Sequence, residues 1–397
     1  MVEVTPSGVI VELPGGTLFH FDNDGNELDV SRRNRLGFGP CERCSPEPRE
    51  ETCDSRPGSR GNTESAAGMR ILLIGGTLFI GKRLASRLLT AGHEITLLHR
   101  RVESPFGSDS EVRNLVADRN DAESIRSALG GRRFDAVYDI AYDMERGTTA
   151  QQVEATAKVI PGDLTRYIFI SSVMAYGSGV NHVEDDPLAP DTDANDYVRN
   201  KAASERALFR MHRESQFPAV TMRPPYVYGP ENPLYREAFF WDRLRVGRPI
   251  VVPGNGERLM QFVYVDDLVA ACVNALTNPL AVGLAFNVAN EQPTRQVDLV
   301  HALAEASGKK AEIVHVPRPV IERHRGNVSH DYRYFGEYYD IPPITEVVER
   351  VKRVLHVEPI PFAIGLQVTY KWYLEYPQQR CLDFSFEDAL IREAGAA

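Results

Sequence analysis

The strand-like run Arg70–Ile74 (RILLI), followed at once by Gly75-Gly76-Thr77-Leu78-Phe79-Ile80-Gly81, most limits how this chain can fold. A short, unbroken apolar run reads as a strand buried on both faces, and the glycine-rich turn behind it opens a helix over 81–91. The alternation continues with a strand at 95–99, a helix at 121–129, and apolar strands at 136–141 and 166–171. Strands joined by helical crossovers lie parallel, so the pattern predicts an α/β fold built on a doubly wound parallel sheet. After about residue 226 short helices, Pro-rich loops and aromatic clusters take over, which predicts a smaller, mostly helical C-terminal lobe.

Composition narrows the function. Apolar residues make up 43% and charged residues 25%, enough for a buried core and unlike disordered, collagenous or coiled-coil chains. Asp plus Glu number 55 against 45 Lys plus Arg, a net charge of −10, so no broad basic field draws nucleic acid. No uncharged apolar run reaches the roughly 18 residues of a membrane span. Neither nucleic acid nor membrane is an expected partner. The N-terminus lacks the basic and apolar regions of a signal peptide, which makes the cytoplasm the expected location.

Residues 31–68 are rich in Arg, Pro, Gly, Ser and Glu and almost devoid of aliphatic side chains. Residues 1–68 are therefore read as a poorly ordered extension, although 8–13 and 17–22 flank a Pro-Gly-Gly turn and form a candidate hairpin. Cys41-x-x-Cys44 has only Cys53 nearby, short of the four ligands of a closed zinc site. No metal is expected.

A glycine-rich turn between a strand and a helix lets backbone approach a pyrophosphate, and the helix N-terminus attracts its charge. Gly75 through Gly81 thus form the candidate dinucleotide cradle. His99-Arg100-Arg101 closes the second strand, where an NAD site usually carries an acid. Arginine there suits a 2′-phosphate and favours NADP over NAD; a solvated basic turn is the alternative. Asp118, after NLVAD, either faces the adenine or caps a helix.

Tyr197 and Lys201 are four residues apart, on one face of a predicted helix. With 16 tyrosines in the chain the pair alone says little, but Ser172 ends a strand (YIFISS) 25 residues upstream of Tyr197, behind the glycine turn. Taken with GGTLFIG (75–81), SSVMAYG (171–177), YVRNK (197–201), RPPYVYGP (223–230), FVYVDDL (262–268) and AFNVAN (285–290), the chain resembles the extended branch of the short-chain dehydrogenase/reductase superfamily over about 69–395. GGTLFIG, FDAVYDIAYD (134–143) and DFSFEDALI (383–391) are similar to an atypical subgroup that includes chloroplast stem-loop-binding proteins.

The resemblance implies a Rossmann-type domain over 69–225, with 262–290 returning to it, and a substrate lobe from 226–261 and 291–397. It implies Tyr197 as general acid/base, Ser172 on the substrate oxygen, and Lys201 on the nicotinamide ribose, lowering the Tyr197 pKa. Ala141 joins the cofactor set. A homodimer and a small-molecule substrate, a nucleotide sugar, are implied as well, with epimerase, dehydratase or reductase chemistry. A protein that keeps the fold without catalysis, binding a dinucleotide or RNA, is the rival reading.

Two departures bear on substrate. Tyr226 stands where nucleotide-sugar epimerases commonly carry Asn, and Met260 where they commonly carry Arg. Arg223, Arg258 and Gln261 are the substitutes this sequence offers, with Arg223 equally suited to a structural role. Asp266-Asp267 reads as a helix cap, and 322–339, which interleaves basic and aromatic residues, as a packed loop, a sugar pocket or a base-stacking surface.

Overall fold

A computed structural model describes the backbone of 2–5, 8–12, 17–21 and 27–32, and residues 68–101, 105–107, 111–325, 342–377 and 382–395. Cys41, Cys44, Cys53 and most of 322–339 lie outside the described residues.

Near the N-terminus, β1 (Val2–Thr5), β2 (Gly8–Glu12), β3 (Thr17–Phe21) and β4 (Glu27–Arg32) form an antiparallel sheet in the order β1-β2-β3-β4. The β2–β3 hairpin across Pro-Gly-Gly is its centre. Added strands give a sheet more cross-strand pairs than an isolated hairpin, which is only marginally stable.

The main sheet uses β5 (Arg70–Ile74), β6 (Glu94–His99), β7 (Arg113–Val116), β8 (Ala136–Asp139), β9 (Arg166–Ile170), β11 (Ala219–Arg223), which follows the short β10 (Gly179–His182), and β12 (Ala285–Asn287). All seven run parallel in the order β12-β11-β9-β8-β5-β6-β7. The direction of winding reverses between β5 and β8, and ligands bind in such sheets at that switch, beyond the carboxyl ends of the strands. Ile71 and Leu73 pack on one face while Leu72 and Ile74 pack on the other, all fully buried. Each such side chain stabilises the fold by about 1.5–3 kcal/mol, which is why RILLI shows no alternation. The flanking helices are α1 (Phe79–Thr90), α2 (Ala122–Leu129), α3 (Ala150–Val159), α4 (Asp196–Ser215) and, later, α6 (Val265–Thr277).

The C-terminal lobe packs α5 (Glu237–Arg245), α7 (Gln296–Ala306) and the helix Phe362–Glu375 around Trp241, Phe239 and Phe240. It also holds short strand pairs, among them Tyr226–Tyr228 parallel to Phe262–Tyr264 and Ile250–Pro253 parallel to Ile313–Val316. Ion pairs tie α1 to segments that follow residue 229: Lys82 to Glu231 at 2.6 Å and Arg83 to Asp266 at 2.9 Å. Asp266 and Asp267 sit in the first turn of α6 but do not cap it; Asp267 accepts from the Ile360 amide instead, and burial pushes its carboxyl up to about 8. No helix among the described residues is long and apolar enough to cross a membrane.

Candidate active site and cofactor cleft

The glycine turn is folded tightly on itself and on the end of β8. Gly75 has φ of 97°, in the region glycine favours, and a Cβ there would stand 2.8 Å from the Ala141 Cβ. A Cβ on Gly81 would stand 2.3 Å from the Gly75 carbonyl oxygen. No side chain caps Leu78 at the start of α1. Bare backbone and an uncapped helix N-terminus are what a pyrophosphate requires, so 75–81 with Ala141 fit a dinucleotide.

The expected adenosine contacts are rearranged. His99 is buried at the end of β6, its Nε2 against Asn114 Oδ1 at 3.1 Å and its Nδ1 without a partner. Arg100 and Arg101 are exposed at the end of β6. Arg100 donates to Asp143 at 3.1 Å, and Arg146 bridges Asp143 and Asp118 at 2.7 and 2.8 Å. The Arg146 amide, then its guanidinium, holds the Asp143 carboxyl at about 2. Helix capping falls to Asp121, which accepts from the Glu123 and Ser124 amides, and not to Asp118.

Tyr197, Lys201 and Glu205 follow one another at four-residue spacing and share a face of α4, whose N-terminus Asn195 caps. Paired serines at the end of β9 meet this face. Ser171 donates to Glu205 at 2.5 Å, and the Ser172 hydroxyl acts on the Tyr197 phenol to lower its pKa. Ser172 also accepts from the Met174 amide at 3.2 Å, which fixes its rotamer. The structure thus brings Ser172, Tyr197 and Lys201 together above the carboxyl edge of the sheet.

Tyr197 is half-buried, its ring edge-on to Tyr142 at 4.9 Å. Burial holds the phenol above its ordinary value, opposed by the Ser172 hydroxyl and the charge of Arg236. Lys201 is 3% exposed, donates to the Ile170 carbonyl at 2.7 Å, and lies against the rings of Phe169 and Tyr142 at 4.8 and 5.2 Å. Lys201 gives one of its three N–H donors to Ile170, and its ammonium stands 5.8 Å from the Tyr197 ring centre. Tyr142 and Arg236 escaped the sequence reading; FDAVYDIAYD held a signal for the first and nothing local marked the second.

Burial pushes Lys201 down to about 8, with Asp139 and Glu205 opposing. Between about pH 8 and 10.5 the unfolded chain therefore binds more protons at this site, and stability from this group rises with pH across that window. Below 8 the buried ammonium costs about 3 kcal/mol, partly offset by about 1 kcal/mol from its hydrogen bond. Lys201→Met is expected to raise the calorimetric melting temperature by a few degrees at pH 7, with the gain shrinking above pH 9. A lower melting temperature at pH 7 would contradict this.

The substrate side departs most from expectation. Arg223 is 3% exposed and commits its Nε and both terminal nitrogens to Glu205, the Tyr176 hydroxyl and the Glu184 carbonyl. Gln261, 1% exposed, bridges backbone of Asn290 and Glu346 through both ends of its amide. Both are structural: all three guanidinium nitrogens of Arg223 and both amide hydrogens of Gln261 are engaged inside the protein. Met260 packs in the C-terminal core. Tyr226 stays half-buried, its ring tilted on Phe262 at 5.6 Å and covered by the Arg236 guanidinium at 5.3 Å. Arg258 is half-buried on the loop before Leu259–Met260.

Residues 71–289 match the family model described as the NAD dependent epimerase/dehydratase family. The chain belongs to that family. It is 34% identical over 342 residues to the chloroplast stem-loop binding protein of 41 kDa b from Arabidopsis thaliana, covering 81% of this chain and 84% of that one. It is 27% identical to a UDP-glucose 4-epimerase of Mycolicibacterium smegmatis, over 63% of this chain and 87% of the epimerase. Among solved structures, dTDP-glucose 4,6-dehydratase of Bacillus anthracis in complex with NAD superposes with a TM-score of 0.63 at 20% identity, covering 78% of this chain and 97% of that one. That likeness establishes the shared fold of this family member.

Proposed function

We propose that this family member is an NAD(P)-dependent oxidoreductase that epimerises, dehydrates or reduces a sugar carried on a nucleotide. The convergence of Ser172, Tyr197 and Lys201 beside the glycine cradle carries this reading. The cofactor, when bound, supplies or accepts hydride at its nicotinamide. Because burial keeps the Tyr197 phenol protonated at neutral pH, it donates a proton to the carbonyl oxygen as the carbon is reduced, and takes it back in the reverse direction. Ser172 holds that oxygen, and the Lys201 ammonium, charged below about pH 8, favours the bound ribose. The relatives named UDP-glucose 4-epimerase and dTDP-glucose 4,6-dehydratase support a nucleotide sugar as substrate. We further propose a cytoplasmic homodimer.

Nucleotide sugars incubated with cofactor, with absorbance followed at the reduced-nicotinamide band and products resolved chromatographically, test the reading. A new sugar without net change in cofactor means epimerisation or dehydration, and a stoichiometric change means reduction. Neither result with any sugar favours the second reading, a dinucleotide- or RNA-binding protein without turnover, which the 34% identity to the stem-loop binding protein supports.

Exposed Arg100 and Arg101 favour NADP. Replacing both with Ala is expected to weaken NADP(H) at least about tenfold more than NAD(H), since a charge-assisted contact is worth about 1.5–3 kcal/mol. Equal losses on titration would assign these arginines to the solvated turn.

A further inference from the structure

We infer that Tyr142 is a positioning residue of this site, its ring forming with those of Phe169 and Tyr197 an aromatic box that holds the Lys201 ammonium for the ribose of a cofactor. The inference rests on the cofactor reading above and adds to it the residue that fixes Lys201. The ammonium stands 5.2 Å from the centre of the Tyr142 ring, 4.8 Å from that of Phe169 and 5.8 Å from that of Tyr197. All three lie within the roughly 6 Å over which a ring face attracts a cation. The rings come from three places: Tyr142 follows β8, Phe169 lies in β9 and Tyr197 stands in the first turn of α4. Lys201 is 3% exposed, so water screens little of this attraction. The buried acids of the same core are engaged by other groups. One Asp139 oxygen accepts from Arg119 at 2.6 Å and from the Tyr167 hydroxyl at 2.7 Å, while its second oxygen has no partner. Glu205 accepts from Ser171, Thr221 and Arg223. Among the described residues, the ammonium therefore has the Ile170 carbonyl at 2.7 Å and three aromatic rings around it.

Tyr142 is held at both ends. The amides of Ile140 and Ala141 both donate to the Ile74 carbonyl at 3.0 Å, which clamps the backbone beside Tyr142 to the glycine turn. Its hydroxyl accepts from Asn200 Nδ2 at 3.1 Å, one residue before Lys201 on α4. Gly147, with φ of 76°, packs against this bond: a Cβ there would stand 3.1 Å from Asn200 Nδ2 and 3.6 Å from the Tyr142 hydroxyl oxygen. The same ring meets Tyr197 edge-on at 4.9 Å, so one side chain touches both the proton donor and the ammonium. A residue that only filled space could be aliphatic, whereas the negative face of a ring favours the charged form of the amine beside it. The other charged and titratable groups that bear on the ammonium are Asp139 from β8, Glu205 and Tyr197 from α4, and Arg119 from the loop after β7. Tyr142→Leu leaves all four in place.

NMR of ¹³C-labelled lysine ε-methylenes in the full chain without added cofactor, with Lys201→Met to assign the signal, follows the ammonium directly. Tyr142→Leu keeps apolar bulk and removes the ring, and should lower the Lys201 titration midpoint by about 0.4–1.5 pH. Tyr142→Phe keeps the ring and loses only the Asn200 contact, so it should stay near the wild-type midpoint. Tyr142→Phe with a fluorinated ring weakens the negative face at nearly constant shape; it should behave as the Leu variant does, and serves if that variant does not fold. With the midpoint lowered from about 8, Tyr142→Leu should bind NAD(H) or NADP(H) about 2- to 15-fold more weakly at pH 8 and close to wild type at pH 6. An unchanged midpoint in the Leu and fluorinated variants overturns the inference, even if their melting temperatures fall. So does a raised midpoint, which would mean that the ring only kept water from the ammonium. A lowered midpoint with unchanged cofactor binding at pH 8 removes the positioning role and leaves the cofactor reading intact. A wild-type chain that binds neither NAD(H) nor NADP(H) removes the cofactor reading and this role with it, whatever the titration shows.

Discussion

Tyr197→Phe is expected to lower turnover roughly 100- to 10,000-fold, the range for losing a positioned general acid or base, while leaving cofactor affinity nearly unchanged. The substitution removes one oxygen. The ring keeps its edge contact with Tyr142, and Lys201 keeps its hydrogen bond to Ile170, because neither involves the phenol hydroxyl. Ser172 stays fixed by the Met174 amide. Single-turnover rates with a substrate found in the sugar screen, alongside cofactor titration, provide the measurement. Wild-type turnover in the variant would show that the proton comes from elsewhere. In the reducing direction the rate should stay flat through neutral pH and fall as pH rises through the Tyr197 pKa, since burial places that value above the ordinary phenol range and only the protonated form donates.

Glu205→Ala is expected to destabilise the fold by roughly 3–5 kcal/mol. Glu205 is fully buried and accepts from Ser171, Thr221 and Arg223, so truncation strands the Arg223 guanidinium and two hydroxyls in the core. Arg223→Met should cost a comparable amount by stranding the carboxylate. The double variant Glu205→Leu with Arg223→Met should lose less than the two single losses summed, because a buried pair replaced by apolar groups leaves no uncompensated charge. Urea denaturation of the three variants decides. If Arg223→Met keeps full stability and instead raises KM alone, Arg223 contacts substrate and its structural assignment here is wrong.

Much of the fold was legible because it depends on local chemistry. An apolar run with no alternation is a strand covered on both faces, and glycines at 75 and 81 are required where backbone meets backbone, so the β5–turn–α1 unit could be read from a dozen consecutive residues. Tyr197 and Lys201 were legible for the same reason, as helical spacing alone puts them on one face. The same spacing extends to Glu205, and following it one turn further would have found the buried acid.

The roles of the arginines and polar residues around the substrate were not legible. Arg223 is a plausible ligand in sequence and a buried ion pair in space, because its partner lies 18 residues away on a helix that crosses the strand. Gln261 is spent on the backbone of a residue 85 positions on. His99 and Arg100 are adjacent in the chain, yet one is buried against Asn114 and the other reaches Asp143. By itself the sequence determined the parallel sheet, the glycine turn and the shared helix face of Tyr197 and Lys201, because period and spacing act locally, while Ser172 entered through the motif resemblance. Only the tertiary structure decided which charges stay available to a ligand, because a side chain's donors are allotted among neighbours that packing alone brings within about 3 Å of them.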